Sequence, residues 1–190
     1  MNVPNQLTVS RFLLTGLFLL AFLIVFPFSK TVALLLFSAA SLTDYFDGVI
    51  ARRDNLITNF GILMDPLADK ILICSAFIVF VGMGLMPSWM AVLIVARELM
   101  ITGLRLLAAM RNLVLAAEKY GKHKTISQIV AVLAILVMTA SGEWGKFGSV
   151  VFSSWVPLFS TVALYVATFM TAWSGGCYLW KNRDLYLRDM

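Results

Sequence analysis

Five aspartates, Asp44, Asp47, Asp54, Asp65 and Asp69, fall in one stretch of a 190-residue chain that has only ten acidic residues. Asp44 and Asp47 are three positions apart, and Asp65 and Asp69 are four apart. On a helix both spacings put the pair on one face. Four carboxylates that converge at the edge of an apolar region repel one another, so either some are protonated or cations fill the gap. All-oxygen donors suit Mg²⁺, Mn²⁺ or Ca²⁺ better than zinc, and four acids are enough for two bridged ions. Gly48 and Ala51 continue the first face, and Gly61 precedes Asp65 on the second. These small residues leave room for a group bulkier than a side chain. Arg52 stands where it can pair with phosphate oxygens. Cations and an arginine beside a steric gap point to diphosphate chemistry.

Plainer readings apply to parts of this stretch. Small residues on membrane helices often only allow close packing, which would account for Gly48 or Ala51 taken singly. Arg53 and Asp54 read as solvated loop charges. Ordinary helix-end acids do not explain four aspartates paired at helical spacings across one short loop. Pro66 fits the first turn of a helix starting near Asp65, or a kink in a helix that starts earlier.

The elements that carry these residues are apolar. Hydrophobic residues make up 61% of the chain and charged residues 13%, against about 45–50% and about 25% in soluble domains. That balance excludes an ordinary soluble domain and points to a polytopic, all-α membrane protein, a single domain over residues 1–190. The apolar runs are continuous and do not alternate, as spanning helices require and barrel strands do not. Six spans are expected, at about 8–26, 30–51, 60–82, 88–109, 125–141 and 153–176. GMGLMP reads as a turn, and ASGEWGKFGS as a Gly-rich loop. Ten cations (Arg11, Arg52, Arg53, Arg111, Lys119, Lys122, Lys124, Lys181, Arg183 and Arg188) fall at one set of helix ends, and only Lys30 and Lys146 at the other. The positive-inside rule then puts both termini and the acidic loop in the cytoplasm. The tryptophans mostly fall near span ends, as interfacial tryptophans do. No cleavable leader is expected, because no small-residue cleavage site follows the first run. Cys74 and Cys177 read as buried thiols, with no disulfide or cysteine metal site. Nothing suggests a nucleic acid partner; the positive balance fits topology and anionic membrane lipids.

Asp44-x2-Asp47-Gly48-x2-Ala51-Arg52-x8-Gly61-x3-Asp65-x3-Asp69 is, position for position, the signature of the CDP-alcohol phosphatidyltransferases, with none of its eight fixed positions departing. PNQLTVSR, LMDPLADK, ARELMITGLR and YGKHKTISQ resemble the bacterial branch of that family that uses glycerol-3-phosphate. The C-terminal third carries little that is specific beyond hydrophobicity. The resemblance implies six transmembrane helices, a homodimer and a pair of divalent ions, Mg²⁺ or Mn²⁺, in the inner membrane. It implies transfer of a phosphatidyl group from CDP-diacylglycerol to an alcohol, with release of CMP. Carried residue by residue, it makes Asp44, Asp47 and Asp65 metal ligands and Asp69 the catalytic base close to the metals. Gly48, Ala51 and Arg52 correspond to the part that holds the CDP headgroup, Gly61 lines the same region, and Thr43 adds a contact.

An anionic acceptor such as glycerol-3-phosphate needs cations apart from the metal-binding acids. Arg105, Arg111 and Lys124 are the candidates, with Thr8 and Arg11 within reach from the first span. Lys119 and Lys122 fit contact with anionic headgroups equally well. Arg97 and Glu98, adjacent in the fourth span, fit polar partners inside the bundle. His123, the single histidine, reads as a solvent-facing loop residue. Two alternatives remain. One is another acceptor: serine, inositol phosphate or a second phosphatidylglycerol. The other is a divalent-cation transporter or channel, which would place its acids nearer mid-membrane, away from an arginine.

Overall fold

The computed structural model describes residues 3–24, 26–54, 59–110, 119–152 and 154–183; among these, side chains are not described at 3–5, 7, 44–54, 59–63, 65, 66, 110, 119–122 and 149. The described chain is all-α: α1 Val3–Leu23, α2 Ser29–Asp54, α3 Asn59–Gly82, α4 Ser88–Met110, α5 Lys119–Ser141, α6 Gly145–Phe152 and α7 Val156–Lys181, with a 3-10 turn at Gly142–Trp144.

Six of these helices overlap the six expected runs, with α1 beginning five residues and α5 six residues earlier than expected, and the turns between them have clear causes. Pro27 follows α1, and Phe28 adopts a left-handed conformation (φ 62°) just before α2, a costly state for a bulky residue. Gly84 takes φ 70° in the turn before α4 at no such cost. α3 starts at Asn59, so Pro66 lies inside the helix, where it has no N–H to offer the Ile62 carbonyl.

The stretch expected as a Gly-rich loop is instead helical. Gly145, at φ 61°, reverses the chain between the 3-10 turn and α6. A Cβ on Gly148 would stand 2.0 Å from the Ser141 carbonyl oxygen. The glycines that read as loop residues therefore let α6 fold back tightly on the end of α5.

At the same end of the bundle, Glu143 caps α2. Its carboxylate accepts hydrogen bonds from the Lys30 N–H (2.9 Å), the Thr31 N–H (2.9 Å) and the Thr31 hydroxyl (2.8 Å). The Trp144 indole N–H donates to the same hydroxyl at 3.0 Å. A carboxylate here satisfies first-turn donors and complements the positive end of the helix dipole. The Lys30 ammonium lies 4.5 Å from the centre of the Phe22 ring.

α1 packs on α2 and α3, α5 packs on α2 and α7, and α4 bridges α3 and α7. Phe18, Phe37, Phe77 and Phe80 are fully buried where α1, α2 and α3 meet. Phe18 and Phe22 meet edge to face at 5.2 Å, and Phe77 and Phe80 at 6.4 Å. The polarity is reversed from that of a soluble bundle. Leu13, Leu35, Val92, Leu99, Leu158 and Phe169 face outward, while Thr8, Arg11, Glu98, Lys124, Gln128, Thr171 and Ser174 are buried. In lipid the outward residues cost nothing, and polar groups gain by turning to the interior. Among the described residues, two helical stretches are long and apolar enough to cross a membrane, His123–Gly148 and Val156–Lys181, with shorter apolar helical stretches at Thr8–Leu23 and Ser29–Thr43.

Candidate active site

The acidic motif lies on two consecutive, touching helices. Asp44 and Asp47 stand a turn apart near the end of α2, followed there by Gly48, Ala51 and Arg52. Gly61 and Asp65 lie in the first turns of α3, with Asp69 one turn further on. α2 and α3 pack together, so the backbone brings the end of one motif half to the start of the other. The side chains of Asp44, Asp47, Arg52 and Asp65 lie outside the described set. Among the described residues no three carboxylate, histidine or cysteine side chains gather as a metal site.

Asp69 is described and is half-buried. Its charge is close enough to act on Lys70, Cys74 and Lys124. Thr43 is half-buried, and its hydroxyl donates to the carbonyls of Ala40 (2.8 Å) and Ala39 (3.1 Å) in its own helix. Its oxygen keeps lone pairs but its proton is engaged, so a contact from Thr43 to a headgroup would be one in which it accepts.

A polar network lies beside Asp69 and ties four helices together. Lys70 on α3 donates to the Thr102 hydroxyl on α4. That hydroxyl donates to the Glu98 carbonyl at 2.7 Å. The Glu98 carboxylate pairs with the Lys124 ammonium of α5 and with Arg97 at 3.3 Å. Arg97 donates to Ser174 on α7 at 3.2 Å, and Gln128, one turn beyond Lys124, donates to Thr171 on α7 at 3.0 Å. The partners expected for Arg97 and Glu98 inside the bundle are thus present.

The described residues proposed for an acceptor phosphate lie on three helices, α1, α4 and α5. Lys124 is buried within the network, and Thr8 and Arg11 are buried on α1. Arg105 is exposed on α4, its guanidinium 5.9 Å from the centre of the Tyr178 ring. Arg111 lies outside the described residues. His123 is exposed, as its neighbours suggest, but in the first turns of α5 and not in a loop. Cys74 and Cys177 are half-buried and free.

Lys70 and Thr102 are missing from the sequence-based set. Lys70, Arg97 and Arg105 are the three cations that belong to neither set of helix ends. That exclusion was the available signal, since a cation inside an apolar span is costly unless it has a partner.

A helical bundle that turns polar groups inward, with an acidic helix pair beside buried cations, is suited to charged headgroups at a lipid boundary. The chain belongs to the CDP-alcohol phosphatidyltransferase family, whose profile matches residues 1–173; it is accordingly a membrane enzyme of phospholipid biosynthesis. Among its relatives is a CDP-diacylglycerol–glycerol-3-phosphate 3-phosphatidyltransferase of Bacillus subtilis, 39% identical, with 95% of each chain covered. A protein of the same description from Rickettsia bellii is 34% identical over 93% of each chain. A probable phosphatidylglycerophosphate synthase of Mycobacterium tuberculosis is 42% identical over 74% of this chain and 68% of its own.

Proposed function

We propose that the protein transfers the phosphatidyl group of CDP-diacylglycerol to the sn-1 hydroxyl of glycerol-3-phosphate, giving phosphatidylglycerophosphate and CMP. The observation that carries this reading is near full-length similarity to relatives described with that activity, in a chain whose eight motif positions are all intact. The buried Lys124, in a network that Lys70 joins next to Asp69, supports an anionic acceptor over serine.

The donor set fits a divalent metal pair: four aspartates at helical spacings on two touching helices, with no nitrogen or sulfur donor among them. Asp44, Asp47, Asp65 and Asp69 would hold the ions, which when bound neutralise the diphosphate and polarise the phosphorus under attack. The remaining steps belong to the chain's own groups. Gly48, Ala51 and Gly61 leave space for the CDP headgroup, Thr43 accepts a contact from it, and Arg52 pairs with its phosphate oxygens. Lys124, Arg105 and Arg111 hold the acceptor phosphate, with Thr8 and Arg11 closing the pocket from α1. Asp69 takes the proton of the attacking hydroxyl. A carboxylate is a weak base for an alcohol, so the proton moves as the oxygen–phosphorus bond forms. The bond from the lipid-side phosphorus to the CMP phosphate breaks, and CMP leaves with its charge held by Arg52.

The acyl chains stay in the bilayer throughout, which accounts for a site at the interface. Six spans, cytoplasmic termini, a homodimer in the bacterial inner membrane and contact with anionic lipids complete the reading. The test is CMP release by purified protein given CDP-diacylglycerol, Mg²⁺ or Mn²⁺, and one acceptor at a time. Glycerol-3-phosphate is expected to support turnover. Turnover with serine, inositol phosphate or phosphatidylglycerol but not with glycerol-3-phosphate rejects the assignment, and turnover that survives chelation rejects the metal pair.

A further inference from the structure

We infer that Glu98 is a positioning residue for the acceptor: its carboxylate holds the Lys124 ammonium in the network that Lys70 joins next to Asp69, so that the remaining N–H donors of Lys124 meet the acceptor phosphate. The inference rests on the proposed reading and assigns a role to a residue outside the family motif.

Three observations carry it. Glu98 and Lys124 are each only 5% exposed, and they pair directly across α4 and α5. A buried ammonium is strongly unfavourable without a counter-ion, so the pair stands or falls together. Second, an ammonium has three donors, and among the described residues only the Glu98 carboxylate takes a hydrogen bond from this one. Third, Glu98 cannot drift. Its carbonyl accepts the Thr102 hydroxyl, whose oxygen accepts from Lys70, the residue next to Asp69. Its carboxylate also meets Arg97, which is tied to Ser174 on α7. Lys124 is thereby fixed in relation to the residue that takes the hydroxyl proton. A phosphate on Lys124 would orient the other end of a short acceptor toward Asp69.

A pair that only stabilised the bundle would leave substrate affinity alone. Positioning predicts a split between the two substrates, read from steady-state kinetics in mixed micelles. Glu98→Gln should raise KM for glycerol-3-phosphate about tenfold and leave KM for CDP-diacylglycerol within about twofold. Lys124→Ala should act in the same direction. The double variant should be no more than about twofold worse than Lys124→Ala, because the two side chains act as one unit. Glu98→Asp keeps the charge on a shorter arm and should raise the acceptor KM less than Glu98→Gln. An unmoved acceptor KM in Glu98→Gln, equal rises for both substrates, or effects that multiply in the double variant overturns the inference. If Glu98→Gln does not fold, Glu98→Asp alone decides: an acceptor KM equal to wild type overturns the inference. Wild-type turnover is measured first in the same assay. No CMP release with glycerol-3-phosphate there ends the proposed function, whereas normal turnover with an unmoved variant KM ends only the positioning role.

Discussion

Asp69 shows how much a single carboxylate is asked to do. Its neighbour Lys70 ties it to the Glu98 network on one side, and one turn of α3 links it to Asp65 on the other. An amide in its place keeps the shape but can neither take a proton nor neutralise a cation. Asp69→Asn should lower CMP release by about 10²–10⁴-fold, the range for a lost general base. The variant should keep the detergent-solubilised elution profile of the wild type. Near-normal turnover in a folded variant would remove Asp69 from the reaction. The placement of the aspartates on two consecutive helices was legible in the sequence because i, i+3 and i, i+4 spacings are local patterns. The cationic half was not. Lys124 and Glu98 are 26 residues apart, and Arg97 and Ser174 are 77 apart. Which buried cation meets which acid depends on helix rotation and depth, and spacing carries neither.

Among the elements, the long helices were readable because each carries an apolar stretch between turn residues, although α7 ends at Lys181, some five residues beyond the expected span. α6 was not, because glycine signals a break whether the chain opens into a loop or folds back on a helix. Gly175 shows a similar ambiguity inside α7: a Cβ there would come within 2.8 Å of Arg97 Cγ, so the residue lets α7 lie close to α4. The Glu143 cap is another long-range contact, bridging 112 residues to Thr31. Glu143→Ala removes three hydrogen bonds to a charged acceptor and the carboxylate's interaction with the α2 dipole. A loss of about 2 kcal/mol follows from typical magnitudes, seen as a thermal midpoint a few degrees lower. Lys70, Glu98 and Lys124 form a separate network, so KM for both substrates should hold at temperatures where the variant is folded. An unchanged midpoint would show that the cap is dispensable, and a shifted acceptor KM would show coupling between Glu143 and the site.

For the whole molecule, polarity and charge determine how the bundle sits. Apolar side chains cover its outside while Arg11, Glu98, Lys124 and Gln128 are buried, an arrangement that is stable only where the surrounding solvent is lipid. The charge asymmetry is the basis of the proposed orientation. Lys146 lies on α6, close to the Glu143 cap on the start of α2, and His123 lies in the first turns of α5. In the proposed six-span topology these positions fall on opposite faces of the membrane, with His123 on the cytoplasmic side that the positive-inside rule favours. Both residues are exposed, so each is open to a labelling reagent. In a background with Cys74 and Cys177 replaced by alanine, Lys146→Cys should react with a membrane-impermeant maleimide in spheroplasts. His123→Cys should react only after permeabilisation. The converse pattern would put the acidic motif outside, away from cytoplasmic CDP-lipid headgroups and glycerol-3-phosphate, and the proposed reaction could not proceed as described. Labelling of both cysteines in intact spheroplasts would mean that α5 does not cross the bilayer.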